Sequence, residues 1–81
     1  MRVLYFAAVR QGIGRGEEVV SPPESVATAG ALLEWLRGRG EAYEAALGGR
    51  VCIAVDEAHA DAGASIVGAG EVAFFPPVTG G

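Results

Sequence analysis

Eighty-one residues with a mass of 8.2 kDa leave room for one domain and exclude two, and a domain this small buries only about 60–65% of its unfolded surface, which argues against a deep internal active site. Apolar residues make up 51% of the chain against 20% charged, the balance of a chain that folds. Ten acidic residues outweigh six basic ones, all arginine, for a net charge of −4; such a surface repels phosphate backbones and anionic headgroups, so neither nucleic acid nor a membrane is a fitting partner.

Val3-Leu4-Tyr5-Phe6-Ala7-Ala8-Val9 is apolar on both faces and rich in β-branched and aromatic residues, as a central strand covered on both sides should be. At seven residues it equals Val72 to Val78 as the longest apolar run, far below the roughly 20 that span a bilayer. Met1-Arg2 ahead of it imitates a signal peptide, but Arg10 and Gln11 stand where a small-residue cleavage site would lie. Gln11 to Gly16 carries three glycines and reads as a turn. Glu17-Glu18-Val19-Val20-Ser21 then returns antiparallel, completing a hairpin, until Pro22-Pro23, which cannot donate to a ladder.

Thr28 is the predicted N-cap of a helix, since Ala29, Leu32, Leu33 and Leu36 follow at i, i+3, i+4 and i+7, with Trp35 at the margin of that stripe. Gly38 and Gly40 close it, and Glu41 to Leu47 can add a short second helical stretch before Gly48-Gly49. Val51-Cys52-Ile53-Ala54-Val55-Asp56 is a third strand with Val51, Ile53 and Val55 on one face. Cys52 is expected there as a small buried hydrophobe; a lone thiol that can form no intramolecular disulfide fits a reducing compartment, hence a cytoplasmic location. Glu57 to Gly63 is polar and turn-like, with room for a short edge strand before Ser65-Ile66-Val67, and Glu71 to Phe75 is the last strand.

Strand, strand, helix, strand, strand predicts an α+β domain. With the helix crossing between two hairpins, the first and last strands can lie parallel and side by side at the sheet centre. That is the β-grasp (ubiquitin-like) layout, a mixed sheet of four to five strands packed by one main helix over residues 1–75, followed by an extended tail over residues 76–81. A ferredoxin-like layout would need a second long helix after the third strand, and no periodic segment remains for one.

Internal candidates for chemistry are sparse. His59 has Asp56, Glu57 and Asp61 nearby, but without a second His or a thiolate at ligand spacing the loop reads as solvated, and no metal is expected. Gly12-Ile13-Gly14-Arg15-Gly16 lacks the spacing of a dinucleotide loop and leads into a strand. The absence of Lys removes Schiff-base chemistry, a P-loop lysine and any side-chain isopeptide acceptor. The end of the chain is different. Pro76 and Pro77 cannot extend a ladder and favour an extended backbone, and six residues from Pro76 reach at most about 20 Å. Gly80 and Gly81 can thread a channel that no bulkier pair would fit, and Phe75, Pro76, Pro77 and Val78 form an apolar collar before them.

Val72-Ala73-Phe74-Phe75-Pro76-Pro77-Val78-Thr79-Gly80-Gly81 closely resembles the ending of the small, sulfur-carrying subunit of molybdopterin synthase. Val3-Leu4-Tyr5-Phe6-Ala7 and Leu32-Leu33-Glu34-Trp35-Leu36 are similar to that family's first strand and helix, so the likeness covers nearly the whole chain. It departs where the family often has Asn at Asp56, and Gly-Asp-Glu-Val where Ala69-Gly70-Glu71-Val72 stands. A terminal carboxyl, with a pKa of about 3.5, is an anion and a poor electrophile at neutral pH, so it must be activated. The resemblance implies that a separate adenylating enzyme uses ATP to activate Gly81, that a sulfur donor displaces AMP to leave a thiocarboxylate, and that this chain itself binds no cofactor. It further implies insertion of the tail, with Gly80, Thr79 and the collar as contacts, into a catalytic large subunit, in a heterotetramer, where sulfur passes to a cyclic pterin precursor to build the molybdopterin dithiolene. On that reading the chain is a carrier and no enzyme on its own. A sulfur carrier for thiamine thiazole synthesis, a ubiquitin-like modifier and a binding module without terminal chemistry are the alternatives.

Overall fold

The computed structural model describes residues 1–77. Its elements are β1 (Arg2–Tyr5), α1 (Ala7–Ile13), β2 (Glu17–Val19), α2 (Ala29–Arg37), α3 (Glu41–Leu47), β3 (Cys52–Val55), β4 (Ala58–Ala60) and β5 (Glu71–Phe75). The strands form one sheet in the order β2-β1-β5-β3-β4. β1 runs antiparallel to β2 and parallel to β5, and β3 runs antiparallel to both β5 and β4. This is the expected β-grasp, with the first and last strands parallel at the centre and α2 the longest helix across one face. Among the described residues no helix is long and apolar enough to cross a membrane.

The first connection differs from the sequence expectation. The strand read over Val3 to Val9 ends at Tyr5, and Ala7 to Ile13, which takes in the first half of the stretch read as a glycine turn, is helix α1, so β1 and β2 pair antiparallel but are joined by a helix. Phe6 is the pivot: its extended backbone donates to the Phe74 carbonyl (3.1 Å), while its own carbonyl accepts from Val9 and Arg10 to open the helix. Ala7 turns the chain with a φ of 52°, a left-handed angle that costs a non-glycine residue about 1–2 kcal/mol. Val9 is buried and Ile13, one turn on, packs against the core. Gly14, with a φ of 90°, terminates the helix and donates to the Arg10 carbonyl (2.8 Å), the usual employment of a glycine at a helix end.

α2 follows its stripe. Thr28 Oγ1 accepts from the Ala31 amide (3.2 Å), and Ala29, Leu32 and Leu36 are fully buried. They pack with Val3, Tyr5, Val72 and Phe74 from the central strands, and with Leu47, Ile53 and Ile66. The Tyr5 and Phe74 rings stack at 6.5 Å, and Tyr43 of α3 meets Tyr5 edge-on at 6.4 Å.

One carboxylate ties the edge strand to the helices. Glu18, its side chain 6% exposed on the helix-facing side of β2, accepts from the hydroxyls of Tyr5 and Tyr43, both at 2.7 Å, and from Arg39 at 2.9 Å. Burial alone would push the Glu18 carboxyl up; the hydrogen bonds from Tyr5, Tyr43 and Arg39 outweigh it and hold the group below the ordinary range. Burial, and then the Glu18 carboxylate, push the Tyr5 phenol far up, so it stays a donor. Arg39 also lies over the Trp35 and Tyr43 rings, at 5.4 and 5.2 Å.

Candidate functional site

β5 feeds directly into the predicted tail, so the site begins with that strand's alternation. Val72 and Phe74 point into the core, whereas Glu71, Ala73 and Phe75 point to the face that carries no helix. Register brings a row of neighbours across this open face: Leu4 stands beside Ala73, Ala73 beside Ala54, and Ala54 beside His59. The two small residues leave a hollow of about 490 Å³. Phe6 and Phe75 line it on the tail side, and Arg2, Glu71 and Glu57 line it on the other. Arg2 spans the rim by donating to Glu71 (2.8 Å) and lying 4.0 Å from Glu17. Both contacts are exposed and contribute little to stability.

The turn from β3 to β4 presents Glu57. Asp56 and Glu57 both have left-handed backbones, with φ of 46° and 71°, as a two-residue hairpin turn requires. Asp56 Oδ1 accepts from the Gly70 and Glu71 amides, both at 3.0 Å, and so clips this turn to the start of β5. An acceptor is what that position uses, and the carboxylate supplies it.

Of the predicted site residues, Phe75 is half-buried on the open face, with its ring edge-on to His59 at 5.5 Å between centroids. Pro76 and Pro77 are half-buried and follow β5 without joining a strand or helix. Pro76 also lines a shallow groove of about 320 Å³ between α1 and α3, in company with Arg50 and Val51. Val78, Thr79, Gly80 and Gly81 lie outside the described residues. His59 belongs to β4, not to a loop, and Asp56 is engaged with backbone amides. Cys52, expected to be buried, is half-exposed: it pairs with Phe75 across the sheet and shares the open face, because the alternation that turns Ile53 inward turns Cys52 out. Leu4, Phe6, Ala54 and Ala73 were read from the sequence only as strand residues, and Glu57 only as part of a solvated loop; none was expected to line a site. The signal for Phe6 was there, an aromatic at the end of an apolar run, but the hollow itself exists only through register.

A model of the ThiS family matches residues 3–81 of the chain. The chain is 34% identical over 82 aligned positions to the molybdopterin synthase sulfur carrier subunit of Haemophilus influenzae, covering 100% of this chain and 99% of that protein. The crystal structure of SAMP1 from Haloferax volcanii superposes with a TM-score of 0.77 at 27% identity, covering 100% of this chain and 98% of the other. On the family match and on the relative similar over its whole length, the chain belongs to the ThiS family.

Proposed function

We propose that the chain is the sulfur carrier of a molybdopterin synthase. The observation that supports this most is the ending Phe75-Pro76-Pro77-Val78-Thr79-Gly80-Gly81, set directly after the central strand of a chain similar over its whole length to a sulfur carrier subunit of that synthase. The Gly81 carboxylate attacks ATP on a separate activating enzyme, giving an acyl-adenylate and pyrophosphate. A sulfur donor then displaces AMP, leaving a thiocarboxylate whose anionic sulfur is nucleophilic for the reason a thiolate is. The tail enters the catalytic large subunit, within a heterotetramer, and gives its sulfur to a cyclic pterin precursor. Phe75, Pro76, Pro77 and Val78 form the collar at the cleft mouth, Thr79 and Gly80 occupy the channel, and the open sheet face adds docking area. Residues 1–75 act as the grip and residues 76–81 as the reactive arm.

The family match also favours a second reading, a sulfur carrier for thiamine thiazole synthesis. The partner that the sulfurated chain supplies, a pterin-pathway subunit or a thiazole synthase, separates the two.

The test is intact mass and pterin sulfuration after incubation with the activating enzyme, ATP and a sulfur source. The wild-type chain should exchange one oxygen for one sulfur. A chain extended by one residue beyond Gly81 should gain no sulfur, and Gly80→Val should lose transfer because a β-branched side chain restricts the backbone and widens the arm. Both should melt like wild type. An extended chain that still sulfurates the pterin at the wild-type rate would refute the carrier role.

A further inference from the structure

The hollow on the open face is apolar at its centre and anionic at its rim. Leu4, Ala54 and Ala73 make the centre, and Phe6 and Phe75 add two rings. Two carboxylates of the lining, Glu57 and Glu71, stand against the single guanidinium of Arg2, which is already shared between Glu71 and, outside the lining, Glu17. Glu57 has no hydrogen bond or ion pair among the described residues, although its turn is held in place by the Asp56 clip. A purely apolar side chain seated here would strip water from Glu57 and leave it uncompensated, which is costly. A long side chain with an apolar stem and a cationic head satisfies both the centre and the rim.

We propose that this hollow receives an arginine side chain of the protein that takes the tail, its stem over Ala54 and Ala73, its guanidinium paired with Glu57 and against the Phe6 or Phe75 ring. Arginine suits the place better than lysine because its planar head stacks on aromatic faces and binds a carboxylate in two-point fashion. The inference rests on the carrier reading and adds to it the chemistry of the partner surface and the residue that selects it.

The full chain is titrated against the catalytic large subunit at low and high salt, with thermal melts run in parallel. Glu57→Gln should weaken binding about tenfold at low salt and flatten the salt dependence, since a rim charge acts through long-range attraction as well as contact. Ala54→Leu, which fills the hollow, should weaken binding at every salt concentration. Glu41→Gln, on α3, is the control and should bind as wild type. Wild-type affinity and salt slope for Glu57→Gln would overturn the inference even if Ala54→Leu binds weakly, because the occupant would then be uncharged; the carrier reading would survive as long as the wild-type chain binds and accepts sulfur. A wild-type chain that neither binds nor accepts sulfur overturns both.

Discussion

Glu18 is a carboxylate placed where a hydrophobe would be the default, and its four donors decide what it contributes. Tyr5, Tyr43 and Arg39 donate at hydrogen-bond distance, and Arg15 lies at 3.5 Å. Because the folded-state pKa is depressed, the stability that Glu18 adds is complete above the unfolded value of about 4.3 and is lost as pH falls through the lower folded value. Glu18→Gln should destabilise the chain by about 1–3 kcal/mol at pH 7, since one side of an amide cannot accept from these donors. Urea unfolding at descending pH should show the gap between wild type and Glu18→Gln closing below about pH 4. A gap that is the same at pH 7 and pH 3 would mean that the charge is not what matters. Ala7 is the opposite case, a residue held at a cost. Its left-handed backbone turns β1 into α1 within one residue and leaves Phe6 at the edge of the open face, where the hollow uses it.

At the scale of elements, α1 and α3 are close because Gly12 has no side chain. A Cβ built on Gly12 would lie 2.9 Å from the Ala46 Cβ, closer than such atoms approach, and Ala46 has no flexible end to yield. Gly12→Leu should therefore force the helices apart and destabilise by about 2 kcal/mol, a fall in Tm of about 10 °C for a domain of this size. Gly49→Ala, at a position with open space around it, should melt as wild type. A normal melt for Gly12→Leu would show that the two helices tolerate separation. This contact was hidden from sequence reasoning for a physical reason. Val9 and Ile13 carry the one-turn spacing of a helix, but Val3 to Val9 is apolar at every position, so no periodicity distinguishes the strand from the helix that follows, and three glycines nearby read as turn. α2, by contrast, was legible because Ala29, Leu32, Leu33 and Leu36 keep the helical spacing and a capping threonine opens the helix. β3 and β5 were legible from their β-branched and aromatic content between glycines.

At the scale of the molecule, a core on one face of the sheet and an open face on the other divide the two phenylalanines of β5. Phe74 is fully buried and stacks on Tyr5; Phe75, its neighbour, faces out beside His59. Phe74→Ala should cost about 3–5 kcal/mol, whereas Phe75→Ala should lower the Tm much less and weaken binding to the catalytic subunit more. Melts beside a binding titration check both, and a Phe75→Ala chain that melts as low as Phe74→Ala would remove Phe75 from the docking collar. The proposed arm rests on the sequence, where two prolines and two glycines are a local signal, and from Val78 on it lies outside the described residues. The hollow was not legible there, because Leu4, Ala54 and Ala73 are far apart in the chain and meet only through three-strand register. That same register governs the order of assembly during synthesis. Glu71–Phe75 is the middle strand of the sheet and comes after the other four in chain order, so until it emerges β1 with β2 and β3 with β4 are separate ribbons, each marginal alone. A chain interrupted before residue 71 lacks the strand that pairs with both. The sheet is therefore complete only when β5 takes its place between the two ribbons, and the hollow on the open face, which needs side chains from both ribbons and from β5, comes into being at that same step.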